Sequence, residues 1–256
     1  MYDDRGPDYP AEAVGWLVGT GRARVLEVAA GSGHLTKRLV DQGLDVVALE
    51  PSAQRLAALR DAVPAARRVQ AAAEDIPMAS SSVDVVIAGH AFHRFDHQRT
   101  LPEIARVLRP GGVLGLTWSH GDDKVPWVKR VLALMQPAAD DQDDREVPAD
   151  PVDPVAGSEL FAPSELKVFR HWQQFHKDSL TEFAAANSRP ESRTAADQAE
   201  LMAAVGAIYD SFGRGPDGML MPWKTYCYRS RVTGLADSQR QPPAGGLDDG
   251  LLIDFS

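Results

Sequence analysis

Two carboxylates and two glycines fall at a spacing that would suit a ribose-bearing, positively charged ligand. Glu27 sits inside the apolar run Val25-Leu26-Glu27-Val28-Ala29-Ala30, which leads into Gly31-Ser32-Gly33 and then His34-Leu35-Thr36. Gly31 and Gly33 permit positive φ and let a ligand approach the backbone more closely than any Cβ would allow. Seventeen residues after Gly33, the run Leu49-Glu50-Pro51-Ser52 supplies a second acid, with Pro51 beside it. That is the spacing at which a strand-tip carboxylate chelates ribose hydroxyls. A dinucleotide fingerprint needs G-x-G-x-x-G, but from Gly31 the last position is Thr36 and from Ala29 it is His34. Both registers fail. Glu27 argues in the same direction, because an acid just before the turn would repel a pyrophosphate and attract a cation.

Such residues need strand tips and helix starts to hold them, and the surrounding pattern supplies both. From residue 10 to 118, short apolar runs alternate with amphipathic stretches, the signature of a parallel sheet wrapped by crossover helices. The expected fold class is therefore α/β. Strands are expected at Arg24 to Ala29, Asp45 to Leu49, Arg68 to Ala71, Val83 to Ala88 and Val113 to Trp118, each nearly continuous in apolar character, as strands buried on both faces should be. Helices are expected at Ala11 to Val18, Leu35 to Gln42, Ala53 to Ala62 and Thr100 to Leu108, the last stopped and turned by Arg109-Pro110-Gly111-Gly112. Beyond Trp118 the periodicity predicts helices at Lys124 to Met135, Ser179 to Asn187 and Ala195 to Phe212, with strands at Lys167 to Phe175 and Leu220 to Arg231. Ala139 to Pro154, with seven carboxylates against one arginine, reads as a solvated loop, and the tail after Gly234 as flexible. The expected division is one domain over 1–233: an N-terminal arm 1–10, a ligand-binding half 11–118 and a covering half 119–233 that includes the acidic loop 139–154. A flexible tail, 234–256, follows.

Composition narrows the classes of function. With 256 residues and 44% hydrophobic content, the chain is long enough for a sizeable core and an enclosed site. It has no apolar run near the roughly 20 residues that a spanning helix requires, so no membrane partner is expected. The acidic opening MYDDRGPDYP does not read as a secretory signal, and the expectation is cytoplasmic residence. A net charge of −9 gives no support for nucleic-acid binding. The single cysteine, Cys227, excludes a disulfide framework or a cysteine metal cluster. Arginine outnumbers lysine 21 to 6, as in proteins encoded by GC-rich bacterial genomes.

Taken together, these residues resemble the class I S-adenosylmethionine-dependent methyltransferases, whose first motif joins an acid, a glycine turn and an acid at the next strand tip. The likeness extends to Ala72-Ala73-Glu74-Asp75-Ile76-Pro77, to Ser82-Val83-Asp84-Val85-Val86, to His90-Ala91-Phe92-His93-Arg94-Phe95-Asp96 and to Glu103 through Gly112. Within the class it is nearest the ubiquinone- and trans-aconitate-methyltransferase-like small-molecule branch, which Tyr2 to Pro10 and Met221 to Tyr226 also resemble. The resemblance implies a Rossmann-like methyltransferase fold, a seven-stranded, mostly parallel sheet with helices on both faces and its last strand antiparallel. It also implies S-adenosyl-L-methionine as cofactor, and in-line methyl transfer to an oxygen, nitrogen or carbon nucleophile of a small-molecule acceptor. Glu27 would hold the methionine amino end and Glu50 the ribose hydroxyls, with Ala29, Gly31 and Gly33 shaping the turn. Ala73 and Glu74 would flank the adenine, and Gly89 and His90 the amino-acid end. Three positions depart from the family pattern: Ala29 and Ala72 replace a usual glycine and a usual polar residue, and Arg94 replaces a common tryptophan. A fold redirected to a non-methylating reaction or to metabolite binding is the alternative reading of the same residues.

Among the remaining candidates, His93 is placed either as a general base or in the pocket wall. Tyr2 and Tyr9 either close over a cation or pack as an arm. The histidines at 90, 93 and 97 are not read as a metal site. Most of Trp172, Phe175, Phe183, Trp223, Tyr226 and Tyr228 are expected in the core, and Cys227 as an inert buried thiol.

Overall fold

The computed structural model describes residues 8–19, 21–135, 153–188, 194–212 and 217–234. Tyr2 and most of the arm, nearly all of the acidic segment Ala139 to Pro154, and the tail beyond Gly234 lie outside the described residues. In chain order the elements are α1 (Ala11–Val18), β1 (Arg24–Val28), α2 (His34–Asp41), β2 (Asp45–Leu49), α3 (Ala53–Ala62), β3 (Arg67–Val69) and β4 (Val83–Gly89). Then come α4 (His97–Val107), β5 (Leu108–Gly121), α5 (Pro126–Met135), β6 (Glu165–Phe175), α6 (Lys177–Ala186), α7 (Ala195–Phe212) and β7 (Met219–Arg231). No helix among the described residues is long and apolar enough to cross a membrane.

The strands form one seven-stranded sheet in the order β3-β2-β1-β4-β5-β7-β6. The pairs from β3 through β5 are parallel, as strands joined by helices must be. β7 reverses direction. Along β5 and β7, Gly112 contacts Val232, Thr117 contacts Cys227, Ser119 contacts Thr225 and Asp122 contacts Pro222, so one index rises as the other falls. The same inversion relates β7 to β6, through Arg231 with Ala162 and Arg229 with Glu165.

The chain divides into two compact units. Among the described residues, one comprises Tyr9–Trp118, 153–167 and 226–234. Its core packs Leu26, Val28, Val47, Val86 and Leu114 of the sheet with Leu101, Ile104 and Ala105 of α4, all 9% exposed or less. The other comprises Asp8, 119–135 and the described part of 168–225. There α5, α6 and α7 bury Trp127, Val131, Leu180, Phe183, Val205 and Tyr209 against Phe175, Met221 and Trp223.

The sequence-based expectation of a turn at Arg109-Pro110-Gly111-Gly112 is corrected by the structure. Val83 pairs with Leu108 and Val85 with Val113, so the extra residues are absorbed as a bulge inside β5. Gly111 takes φ 74° to make it, and the strand begins before the bulge. Of the six aromatics, most expected in the core, Phe175, Phe183, Trp223 and Tyr228 are buried, and Trp172 is the exception at 65% exposed. It lies on the face of β6 opposite Phe175, which strand alternation requires for residues an odd number apart. Cys227 is fully buried, and burial pushes its thiol up to about 12.

Candidate functional site

β1 ends inside the sheet, between β2 and β4, which is why Glu27 is 2% exposed although it is charged by type. The chain then turns sharply: Ala29 has φ 55°, Gly31 φ 59° and Gly33 φ 96°. Gly33 heads α2 in the left-handed conformation, and a Cβ there would come 3.0 Å from the Leu59 side chain. The turn delivers Thr36, in the first turn of α2, to Glu27, and its hydroxyl donates to the carboxyl at 2.6 Å. Burial pushes the Glu27 carboxyl up to about 8; the Thr36 hydrogen bond opposes this rise and the nearby Glu50 adds to it.

Glu50 follows β2 and is equally buried, at 2%. Its two oxygens accept backbone hydrogen bonds from Gly31 at 2.9 Å and Ser52 at 3.0 Å, so the carboxylate ties the glycine turn to the tip of β2. Each oxygen retains a further lone pair for a ligand hydroxyl.

A cleft of about 340 Å³ opens over these tips, within the size range of small-molecule sites. Glu27, Ala29 and Gly31 line it, with Ala30, Ser32, His34 and Leu35 of the turn. Gly89 of β4, Tyr9, Arg55 of α3 and Arg94 complete the wall. Gly89 is needed for close approach, because a Cβ there would lie 2.6 Å from the Tyr9 hydroxyl oxygen. Arg94 belongs to a short 3₁₀ turn, Phe92–Arg94, and donates to the His90 carbonyl at 2.8 Å. The cleft therefore has an acid in its floor and two guanidinium groups in its wall.

Of the expected ligand residues, Glu27, Ala29, Gly31 and Gly89 line this cleft. Gly33, Glu50, Pro51, Ala73, Glu74, His90 and His93 do not. Gly33 acts as the α2 cap, and Pro51 is exposed with its carbonyl accepting from Gln70. Ala73 is 4% exposed, and Glu74 accepts the Asp96 backbone N–H at 3.2 Å at the head of α4. His90 meets the Tyr9 ring edge-on at 6.2 Å, and His93 is half-buried in the 3₁₀ turn. Thr36 and Arg55 went unnoticed in the sequence. The available signal was the nine-residue step from Glu27 to Thr36, which returns a hydroxyl to the acid once a glycine turn folds between them. Among the described residues, no three His, Cys, Asp or Glu side chains gather as they would around a metal ion.

Residues 26–116 match a family described as a methyltransferase domain. An uncharacterized methyltransferase of Mycobacterium tuberculosis is 33% identical over 239 residues, covering 90% of this chain and 92% of that protein. The chain is a class I S-adenosylmethionine-dependent methyltransferase. Solved structures share the methyltransferase fold. A protein described as a methyltransferase from an antibiotic biosynthesis pathway of Anabaena variabilis superposes with a TM-score of 0.57 at 19% identity, covering 87% of this chain and 96% of that one. A protein described as a type II methyltransferase from Anaeromyxobacter dehalogenans gives 0.56 at 22% identity, covering 89% and 97%.

Proposed function

We propose that this methyltransferase holds S-adenosylmethionine in the cleft over β1 and β4 and methylates a small metabolite, in keeping with the small-molecule branch that its sequence resembles. The observation that carries the reading is Glu27, a buried carboxyl in the floor of a cleft whose wall bears Arg55 and Arg94. A zwitterionic methionine end complements that arrangement, with its ammonium toward Glu27 and its carboxylate toward a guanidinium. Glu50 lies behind Gly31, outside the cleft lining, and its remaining lone pairs would take the ribose hydroxyls where the nucleoside extends past the turn toward the tip of β2, while Gly89 gives room against the backbone.

When bound, the cofactor supplies an electrophilic methyl group on a sulfonium. Held by Glu27, Glu50 and the turn at Gly31, it would give up that methyl group to the acceptor's nucleophilic atom and be left as the neutral thioether. The chain's task is to bind, orient and exclude water, and alignment of this kind is worth about 7 to 11 kcal/mol. His93 lies outside the cleft lining, so the mechanism assigns it no proton. A net charge of −9 and a cleft of about 340 Å³ support a small acceptor over a polyanion.

Calorimetric titration with S-adenosylmethionine and S-adenosylhomocysteine tests the site. The expected result is one molecule bound per chain, weakened about tenfold to a hundredfold by Glu27→Gln through loss of a charged hydrogen bond. Binding that this substitution leaves unchanged overturns the assignment.

A further inference from the structure

The two guanidinium groups in the cleft wall enter from different sides of β1. That strand pairs with β2 on one side and β4 on the other, and Glu27 lies in register with Ala48 and with Ile87. Arg55 is the third residue of α3, the helix that follows β2, and its backbone N–H donates to the Ser52 hydroxyl at 3.3 Å. It therefore comes from the side of Glu50, whose carboxylate braces Gly31 and Ser52. Arg94 follows β4, in the 3₁₀ turn Phe92–Arg94, and comes from the other side.

The two also differ in how they are held. Nη2 of Arg94 donates to the His90 carbonyl at 2.8 Å, which ties the guanidinium beside the tip of β4 and leaves its remaining N–H groups for a ligand. Among the described residues no hydrogen bond holds the Arg55 guanidinium, and neither arginine is paired with a carboxylate. Tyr9 reaches the same tip as Arg94, since a Cβ on Gly89 would lie 2.6 Å from its hydroxyl oxygen. The β4 side thus brings together a tethered cation and a phenol O–H, and a carboxylate accepts from both. A tryptophan, common at position 94 in the family that the chain resembles, would offer an anion one N–H and no charge.

Magnitude separates an anchor from a bystander. A guanidinium loose in water adds no more than about fivefold to an affinity, because ordering the side chain offsets the attraction. One that is already ordered and is covered by its ligand gives a charged hydrogen bond worth about tenfold to a hundredfold. The His90 tether gives Arg94 the second character, and Arg55 has the first.

We infer that Arg94 takes the carboxylate of the donor's methionine end and sets donor specificity, so that the cleft selects nucleosides that keep this carboxylate over those that have lost it. Arg55 lies along the nucleoside. The inference rests on the donor site proposed above and gives that site its specificity-determining residue.

The test is calorimetric titration of the whole chain with S-adenosylhomocysteine and with decarboxylated S-adenosylhomocysteine, which keeps the ammonium and carries hydrogen in place of the carboxylate. The unsubstituted protein should bind the first about tenfold or more tighter than the second. Arg94→Met keeps the apolar stem and removes the charge. It should erase the ratio by weakening S-adenosylhomocysteine about tenfold or more, while the decarboxylated compound keeps its affinity and so reports an intact fold. Arg94→Lys should restore part of the ratio, and Arg55→Met should leave the ratio as it is. If the unsubstituted protein binds neither compound, the donor-site reading fails. If it binds S-adenosylhomocysteine, then equal affinities, a ratio that survives Arg94→Met, a ratio lost in Arg55→Met instead, or loss of both affinities in Arg94→Met and Arg94→Lys alike overturns the assignment to Arg94.

Discussion

Glu27 holds its proton up to about pH 8 because it is enclosed between β2 and β4 with only Thr36 to favour the anion. A ligand ammonium changes that balance. Donor binding at pH 7 should therefore release close to one proton per chain, seen as a dependence of the calorimetric heat on the ionisation enthalpy of the buffer. The release should vanish in Glu27→Gln; identical heats in all buffers would remove Glu27 from the ammonium site. Ala29 makes a second case at this scale. It adopts φ 55°, where an L side chain costs about 1 to 2 kcal/mol. Ala29→Gly relieves that strain and gives back about 0.4 to 1 kcal/mol through the looser unfolded chain. A net gain of about 1 kcal/mol is expected, raising the thermal midpoint by about 2 to 4 °C. Both acids and the glycine turn were legible from spacing along the chain. Thr36, Arg55 and Arg94 were not, because their roles come from how α2, α3 and the 3₁₀ turn swing side chains back over β1.

At the scale of elements, the alternation of apolar runs located each strand and α-helix described between residues 11 and 118 but not the 3₁₀ turn Phe92–Arg94, and Ala11–Val18, Asp45–Leu49 and Ala53–Ala62 match to the residue. The failures have a local cause. A Pro-Gly-Gly run normally ends an element, yet β5 carries it as a bulge because β4 offers a pairing edge on both sides of it. The tip of β4 is equally dependent on a neighbour. Gly89→Ala would drive a methyl group into the Tyr9 hydroxyl, and Leu35 lies 3.2 Å from the same point. This substitution should destabilise the fold by about 1 to 3 kcal/mol, as overpacking does, and weaken S-adenosylhomocysteine binding with it. A variant with unchanged melting and unchanged affinity would show that Tyr9 does not pack on this tip.

Over the whole molecule, buried and paired acids set the pH response. The Glu27 carboxyl titrates near 4.5 when unfolded and at about 8 in the fold, so its contribution is complete below pH 4.5. It is lost progressively as pH rises to 8, by on the order of 4 kcal/mol. Glu103 and Asp153 behave in the opposite sense. Burial alone would raise both, but Arg106 and the Ile76 N–H hold Glu103 below the usual range, and Ser164 and Val155 do the same for Asp153. Their contributions are present above the ordinary carboxylate range and are lost as pH falls through it. Melting of the ligand-free protein should therefore peak near about pH 5, and Glu27→Gln should flatten the alkaline side; a maximum at pH 8 in the unsubstituted chain would contradict the burial of Glu27. What the sequence by itself determined was the α/β alternation and the acid, glycine turn and second acid at neighbouring strand tips, since these depend on separations along the chain that a strand or helix converts directly into position. Only the tertiary structure decided that Glu27 faces the cleft while Glu50 braces the turn, that Arg94 joins the wall, and that the His171 ring lies on Trp223. Each of those facts depends on which distant segments share a face, and such pairings leave no local period to read.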